Sequence, residues 1–195
     1  VTHQGLLDVS YLNSIPCTTV YSPCTYEQLK IDLNKAVYNS ENLTVIRYPR
    51  GCESTLPSNY KVTDSDYDYF ENGNKVLIIS YGRISVNVMN SVDELKNKGV
   101  NVSLLILNKI KPIKEDVVEI ALNYSYVFFY EETLKSGSIG ESFADLLLAN
   151  RFNKKYYHIA VSDEFVPHAS VDSLMKKYKF DTETIVKNIL EKCNG

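Results

Sequence analysis

Lys75-Val76-Leu77-Ile78-Ile79-Ser80-Tyr81-Gly82 is a strand without a polar face. A strand with one wet side alternates apolar and polar residues, whereas one covered on both sides reads as a continuous aliphatic run. Val76 to Ile79 is such a run, and Gly82 ends it. The period then changes. Ile84, Val88, Val92 and Leu95 recur at steps of four and three, which predicts a helix that stops at Gly99. Val100 to Leu107 is the next strand, and Pro112 opens a helix on Ile113, Val117 and Ile120. Tyr126 to Tyr130 is a strand ending in Glu131-Glu132, and Ser136-Gly137-Ser138-Ile139-Gly140 leads into a helix through Leu148. Tyr157 to Val161 is a last strand, and two helices close the chain at about 170–178 and 181–193. Strands alternating with helices predict an α/β fold: a mainly parallel sheet with helices on both faces.

Towards the N-terminus the pattern is similar but shorter. Residues 6–14 read as a helix that ends before Ile15-Pro16, because the residue before a proline disfavours helix. Residues 17–22 are rich in β-formers and stop at Pro23. Thr25-Tyr26-Glu27-Gln28 has the form of a capping box, in which the Thr25 hydroxyl takes an orphan N–H and Gln28 reaches back. The helix it opens, about 25–39, carries Leu29, Leu33, Ala36 and Val37 on one expected core face. Leu43-Thr44-Val45-Ile46 reads as a short buried strand, interior to its sheet, that delivers Arg47 to Arg50 at its C-terminal end. Residues 52–74 are polar and read as a linker, with a hairpin expected around Glu71-Asn72-Gly73-Asn74. The expected division is a truncated α/β unit over 1–58, a linker over 59–74 and a second domain over 75–195.

With 195 residues, 44% of them hydrophobic and 23% charged, the chain has material for a packed core. A net charge of −3 gives no field to hold nucleic acid or an anionic membrane. No apolar run approaches membrane-spanning length, and residues 1–20 lack the basic end and apolar centre of a secretory signal. The expectation is a cytoplasmic protein. Cys17, Cys24, Cys52 and Cys193 show no C-x-x-C pair and no metal spacing, so they read as free thiols. The chain begins at Val1 inside a motif, which reads as part of something longer.

That motif is Thr2-His3-Gln4-Gly5, followed by Asp8-Val9-Ser10-Tyr11-Leu12, Ile15-Pro16, and then Arg47-Tyr48-Pro49-Arg50-Gly51. The order and spacing resemble the 1-deoxy-D-xylulose-5-phosphate synthases of the transketolase superfamily. The second half is similar to that family's C-terminal domain through Ile79-Ser80-Tyr81-Gly82, Lys111-Pro112-Ile113, Glu131-Glu132 and the Gly-rich turn after them. Near the end the family has P-D-x-F-x-x-H-G. Here it reads Ser162-Asp163-Glu164-Phe165-Val166-Pro167-His168-Ala169, with Ser162 and Ala169 departing from the pattern.

The resemblance implies a parent enzyme that uses thiamine diphosphate and Mg²⁺ to condense pyruvate with glyceraldehyde 3-phosphate, releasing CO₂, for isoprenoid and thiamine precursor synthesis. It implies a homodimer. It also implies that His3 is an active-site histidine contacting substrate, and that Arg50 holds the phosphate of glyceraldehyde 3-phosphate, for which a guanidinium beyond a strand end is chemically suited. By itself His3 would read as a solvated side chain near a chain end. Arg47 reads as a structural ion pair more than a second phosphate contact, and Tyr48 as packing. One carboxylate of Glu131-Glu132 is expected to cap the next turn. Ser136 to Gly140 lacks the P-loop lysine and the full G-x-G-x-x-G, so it reads as a tight turn. His168 is expected in a capping or interface role, and His158 in ordinary packing or at the surface. The family's G-D-G…N diphosphate motif is absent from these residues, so no cofactor-binding or metal residue is expected here, and the chain alone is expected to be inactive. Two other readings stay open: another transketolase-superfamily enzyme, either a transketolase or a 2-oxo acid dehydrogenase β subunit, and a non-catalytic dimerisation or interaction module.

Overall fold

A computed structural model describes residues 5–49, 51–58 and 60–194. The aliphatic run forms β4 (Val76–Tyr81), fully buried and central in a five-stranded sheet. With β3 (Tyr67–Phe70), β5 (Ser103–Leu107), β7 (Tyr126–Leu134) and β8 (Lys155–Val161), the order is β3-β5-β4-β7-β8. β4, β5, β7 and β8 run parallel, and β3 lies antiparallel on β5. The period of two assigns the side chains to two cores. Val76 and Ile78 point to the layer of α3 (Ser85–Asn97), α6 (Val171–Lys177) and α7 (Thr182–Asn194), where they meet Val88, Leu95, Ile185 and Ile189. Leu77, Ile79 and Tyr81 point to the other layer, against Val117 of α4 (Glu115–Leu122) and Phe143 of α5 (Ile139–Ala149). The expected fold class is therefore the one observed.

Several boundaries differ from the sequence reading. Part of the expected linker is β3, and no hairpin forms at Glu71 to Asn74. β3 pairs with β5 instead of β4, and the Ser103 hydroxyl accepts from the Asn72 N–H and donates to the Gly73 carbonyl. Pro112 does not open α4, which starts three residues later. β7 runs past Tyr130 to Leu134, so Glu131 and Glu132 lie within it and not at its end.

The N-terminal segment comprises α1 (Asp8–Ser14), β1 (Thr18–Tyr21), α2 (Tyr26–Tyr38) and β2 (Leu43–Ile46). β1 pairs in parallel with β2 and antiparallel with β6 (Lys109–Lys111), a short strand contributed by the second half of the chain. β2 is thus an edge strand, half-exposed, and not interior as expected; an edge strand has a neighbour on one side only. α1 places Val9 and Leu12 in the same core as Phe143, and each such burial contributes about 1.5–3 kcal/mol. α2 reverses its expected orientation. It buries Gln28 and Asp32 while Leu33 and Val37 face outward. Only half of the capping box is made: Thr25 Oγ1 accepts the Gln28 N–H at 2.9 Å, but the Gln28 amide donates to Asp32 and does not reach back.

Candidate functional site

His3 and Arg50 lie outside the described residues. Gly5, two residues after His3, and Arg47, three residues before Arg50, are in contact. β2 hydrogen-bonds back to β1 through the Arg47 N–H and the Tyr21 carbonyl (2.9 Å), and so presents the Arg47 side chain at the strand's C-terminal end. Its Nε donates to Asp8 Oδ2 at 3.0 Å, and Nη2 donates to the carbonyls of Gly5 and Glu132, each at 3.0 Å. Asp8 is the first residue of α1, where a carboxylate is favoured by the exposed N–H groups of the first turn. Arg47 is therefore the structural ion pair expected from sequence, and it spans three separate segments. Beside it Glu132 turns its carboxylate to Arg83. Tyr48 is exposed and not packed.

The turn from Ser136 to Gly140 is a docking point for α1. Gly137 adopts φ +74°, and a Cβ there would come within 3.2 Å of Ser10 Cβ. Ser10 Oγ donates to the Ser136 carbonyl (2.8 Å), and Asn13 Nδ2 donates to the Gly137 carbonyl (3.0 Å) and Ser142 Oγ (2.8 Å). Ser138 caps α5 through the Glu141 N–H. The polar groups of this turn are spent on capping and docking, in agreement with a tight turn and not a phosphate loop.

Glu131 is fully buried and accepts from the Gly140 N–H (3.0 Å) and the Tyr81 hydroxyl (2.6 Å), with His158 Nε2 at 2.5 Å. The expected cap is thus Glu131, at the start of α5. Burial, together with the neighbouring Glu131 carboxylate, pushes the Tyr81 hydroxyl well above its ordinary pKa, so it remains a donor. His158 is corrected from ordinary packing to a member of this closed network. The signal was its register on β8 opposite Phe129, which only strand pairing reveals. Ser138 Oγ and Glu131 approach the same nitrogen of His158, so the three do not form a nucleophile–base–acid relay, which needs both ring nitrogens.

His168 is exposed, and the helix after it is capped by Ser170, whose side chain accepts the Ser173 N–H; the capping role expected of His168 falls to Ser170. Cys24 is buried, which pushes its thiol up to about 11, while Cys17 and Cys52 are exposed. Among the described residues no group of three or more His, Cys, Asp or Glu is arranged to hold a metal ion. Among them no helix is long and apolar enough to cross a membrane.

Residues 68–185 match the family described as transketolase, C-terminal domain. The chain belongs to the transketolase C-terminal domain family. Its curated relatives match it along almost its whole length, including the segment before that domain. The 1-deoxy-D-xylulose-5-phosphate synthase of Clostridium tetani is 32% identical over 97% of this chain, and that of Helicobacter pylori is 29% identical over 97%. In both cases the chain spans only 31% of the relative. A solved structure titled as a split-gene transketolase, inactive beta4 tetramer, superposes with a TM-score of 0.83 at 20% identity. The match covers 97% of this chain and 62% of that one. At that identity the likeness speaks for the fold, and it extends the family's fold to α1, β1, α2 and β2.

Proposed function

We propose that this chain is the C-terminal part of a thiamine-diphosphate-dependent 1-deoxy-D-xylulose-5-phosphate synthase, condensing pyruvate with glyceraldehyde 3-phosphate with loss of CO₂. The observation that carries the reading is the Arg47 contact to the Gly5 carbonyl at 3.0 Å. Gly5 follows His3 by two residues, and Arg47 precedes Arg50 by three. The two segments that carry the resemblance therefore meet in space, as one shared substrate site requires. In this reading His3 contacts the substrate and moves a proton. Arg50 anchors the phosphate of glyceraldehyde 3-phosphate with paired donors. The enzyme is a cytoplasmic homodimer whose cofactor and Mg²⁺ are held by the portion that this chain does not span. The outward apolar stripe of α2 and the open edge of β2 are where that portion docks.

The test is reconstitution. The chain is mixed or co-expressed with the part of a synthase relative that it does not span, and product is measured from pyruvate and glyceraldehyde 3-phosphate with thiamine diphosphate and Mg²⁺. The chain alone should give no product and no saturable heat with thiamine diphosphate and Mg²⁺. The reconstituted pair should turn over, and Arg50→Ala should raise KM for glyceraldehyde 3-phosphate far more than for pyruvate. Equal effects on both substrates, or cofactor binding by the chain alone, would remove the assignment.

A further inference from the structure

We propose that Arg47 is a positioning residue for this reaction. Its guanidinium fastens the segment after His3 and the strand end before Arg50 to one point of the C-terminal domain, the carbonyl of Glu132. The proposal rests on the functional reading above and adds a role for the C-terminal domain: holding both substrate-contacting segments in register.

Three features make Arg47 a clamp and not an incidental ion pair. First, two of its three guanidinium nitrogens are committed to three acceptors on two other segments: Asp8 Oδ2 and the Gly5 carbonyl on one, and the Glu132 carbonyl on the other. A planar fork meets such a set, and a single ammonium on a flexible stem does not. Second, its side chain is only 16% exposed, so the charge depends on these partners and not on water. Third, the guanidinium packs beside the backbone at Gly82 (φ +63°), where a Cβ would stand in ordinary contact with Arg47 Nη1 at 3.5 Å and press on Ser22 Oγ at 2.9 Å.

The anchor at the other end is firm. Next to the Gly5 carbonyl held by Arg47, the Leu6 carbonyl accepts from Thr133 Oγ1 at 2.7 Å and from the Leu134 N–H at 3.1 Å. Glu132, Thr133 and Leu134 are consecutive on β7, the strand paired with the central β4. The route runs from the five-stranded sheet, through the end of β7, to residues 5 and 6, and through Arg47 to the end of β2. Commitment of the fork to carbonyls and a carboxylate also sets Arg47 apart from a direct phosphate ligand, whose donors must be available to substrate.

The test uses Arg47→Lys, which keeps the charge and loses the fork, and Arg47→Gln, which loses both. In the whole chain, amide hydrogen exchange over residues 6–12 and at Leu134 should rise by about 10-fold or more in both variants, as expected when charge-assisted bonds worth over a kcal/mol are lost. Strands 76–81 and 103–107 should keep wild-type exchange. In the reconstituted enzyme, both variants should raise KM for glyceraldehyde 3-phosphate more than KM for pyruvate, and lysine should not rescue. Unchanged exchange at 6–12, or loosening that spreads through the central strands, overturns the clamp. Local loosening with no change in KM for glyceraldehyde 3-phosphate overturns the positioning role. If the wild-type pair makes no product, the functional reading fails, and with it the positioning role; the exchange data then decide the clamp as architecture.

Discussion

Asp32→Asn should stabilise the packing of α2, and the gain should grow with pH. Asp32 is fully buried beneath α2, with one carboxylate oxygen accepting from Gln28 Nε2 at 2.9 Å and the other without a hydrogen-bond partner. Burial raises its pKa from 3.8 to about 6; Gln28 and Lys35 oppose the shift, and Asp66 and Asp64 add to it. A folded-state pKa above the unfolded one means that the folded form holds the proton more tightly. The resulting stability is complete below about pH 4 and is lost as pH rises through 6. The whole difference corresponds to about 3 kcal/mol, of which about 2.4 kcal/mol falls between pH 4 and pH 8. Asparagine can keep the Gln28 contact through its carbonyl and carries no charge to desolvate. The assay is amide exchange over residues 26–38 in variant and wild type at the same pH, so that intrinsic rates cancel. The ratio of protection should climb by roughly 60-fold between pH 4 and pH 8. A ratio that stays flat over that range would show that the Asp32 carboxylate is solvated, and the argument from burial would fail.

Other perturbations address the remaining contacts. Gly140→Ala would place a Cβ 2.6 Å from His158 Nε2 and 2.7 Å from Glu131 Oε1. Overpacking plus disruption of the Glu131 cap should cost about 2–5 kcal/mol in urea unfolding, and a loss under 1 kcal/mol would mean that the network gives way easily. Lys111→Met removes an ammonium that donates to the carbonyls of Leu12, Asn13 and Ile15 at the end of α1. It should cost about 1–3 kcal/mol and fray α1 first, as read by exchange at residues 11–15. Thr25→Ala should cost about 1 kcal/mol, and Thr25→Ser should recover most of it, since only the hydroxyl cap is at stake. In native-state exchange, strands 76–80 and 127–130 should open last; equal protection at Val45 and Ile46 would contradict the contrast between a central and an edge strand.

Elements whose signal is local were legible from sequence alone. Val76 to Ile79 could only be a strand covered on both sides, and Ile84, Val88 and Leu95 could only face one layer, because strand and helix periods are properties of the backbone. The Thr25 cap and the tight turn at Ser136 to Gly140 were legible for the same reason, since each needs a residue type at a short, fixed spacing. Where an element lies relative to others was not. α2 has an apolar stripe that sequence assigns to the core, yet Gln28 and Asp32 face inward, and no described segment covers Leu33 and Val37. β2 looks interior by composition but sits at an edge, since pairing depends on which strands are available and not on its own residues. His158 looked ordinary because its partner Glu131 lies on a neighbouring strand, 27 residues away. The same holds for Arg47. Its charge and place were readable, but only the folded chain brings Gly5, Asp8 and Glu132, up to 85 residues distant, to one guanidinium.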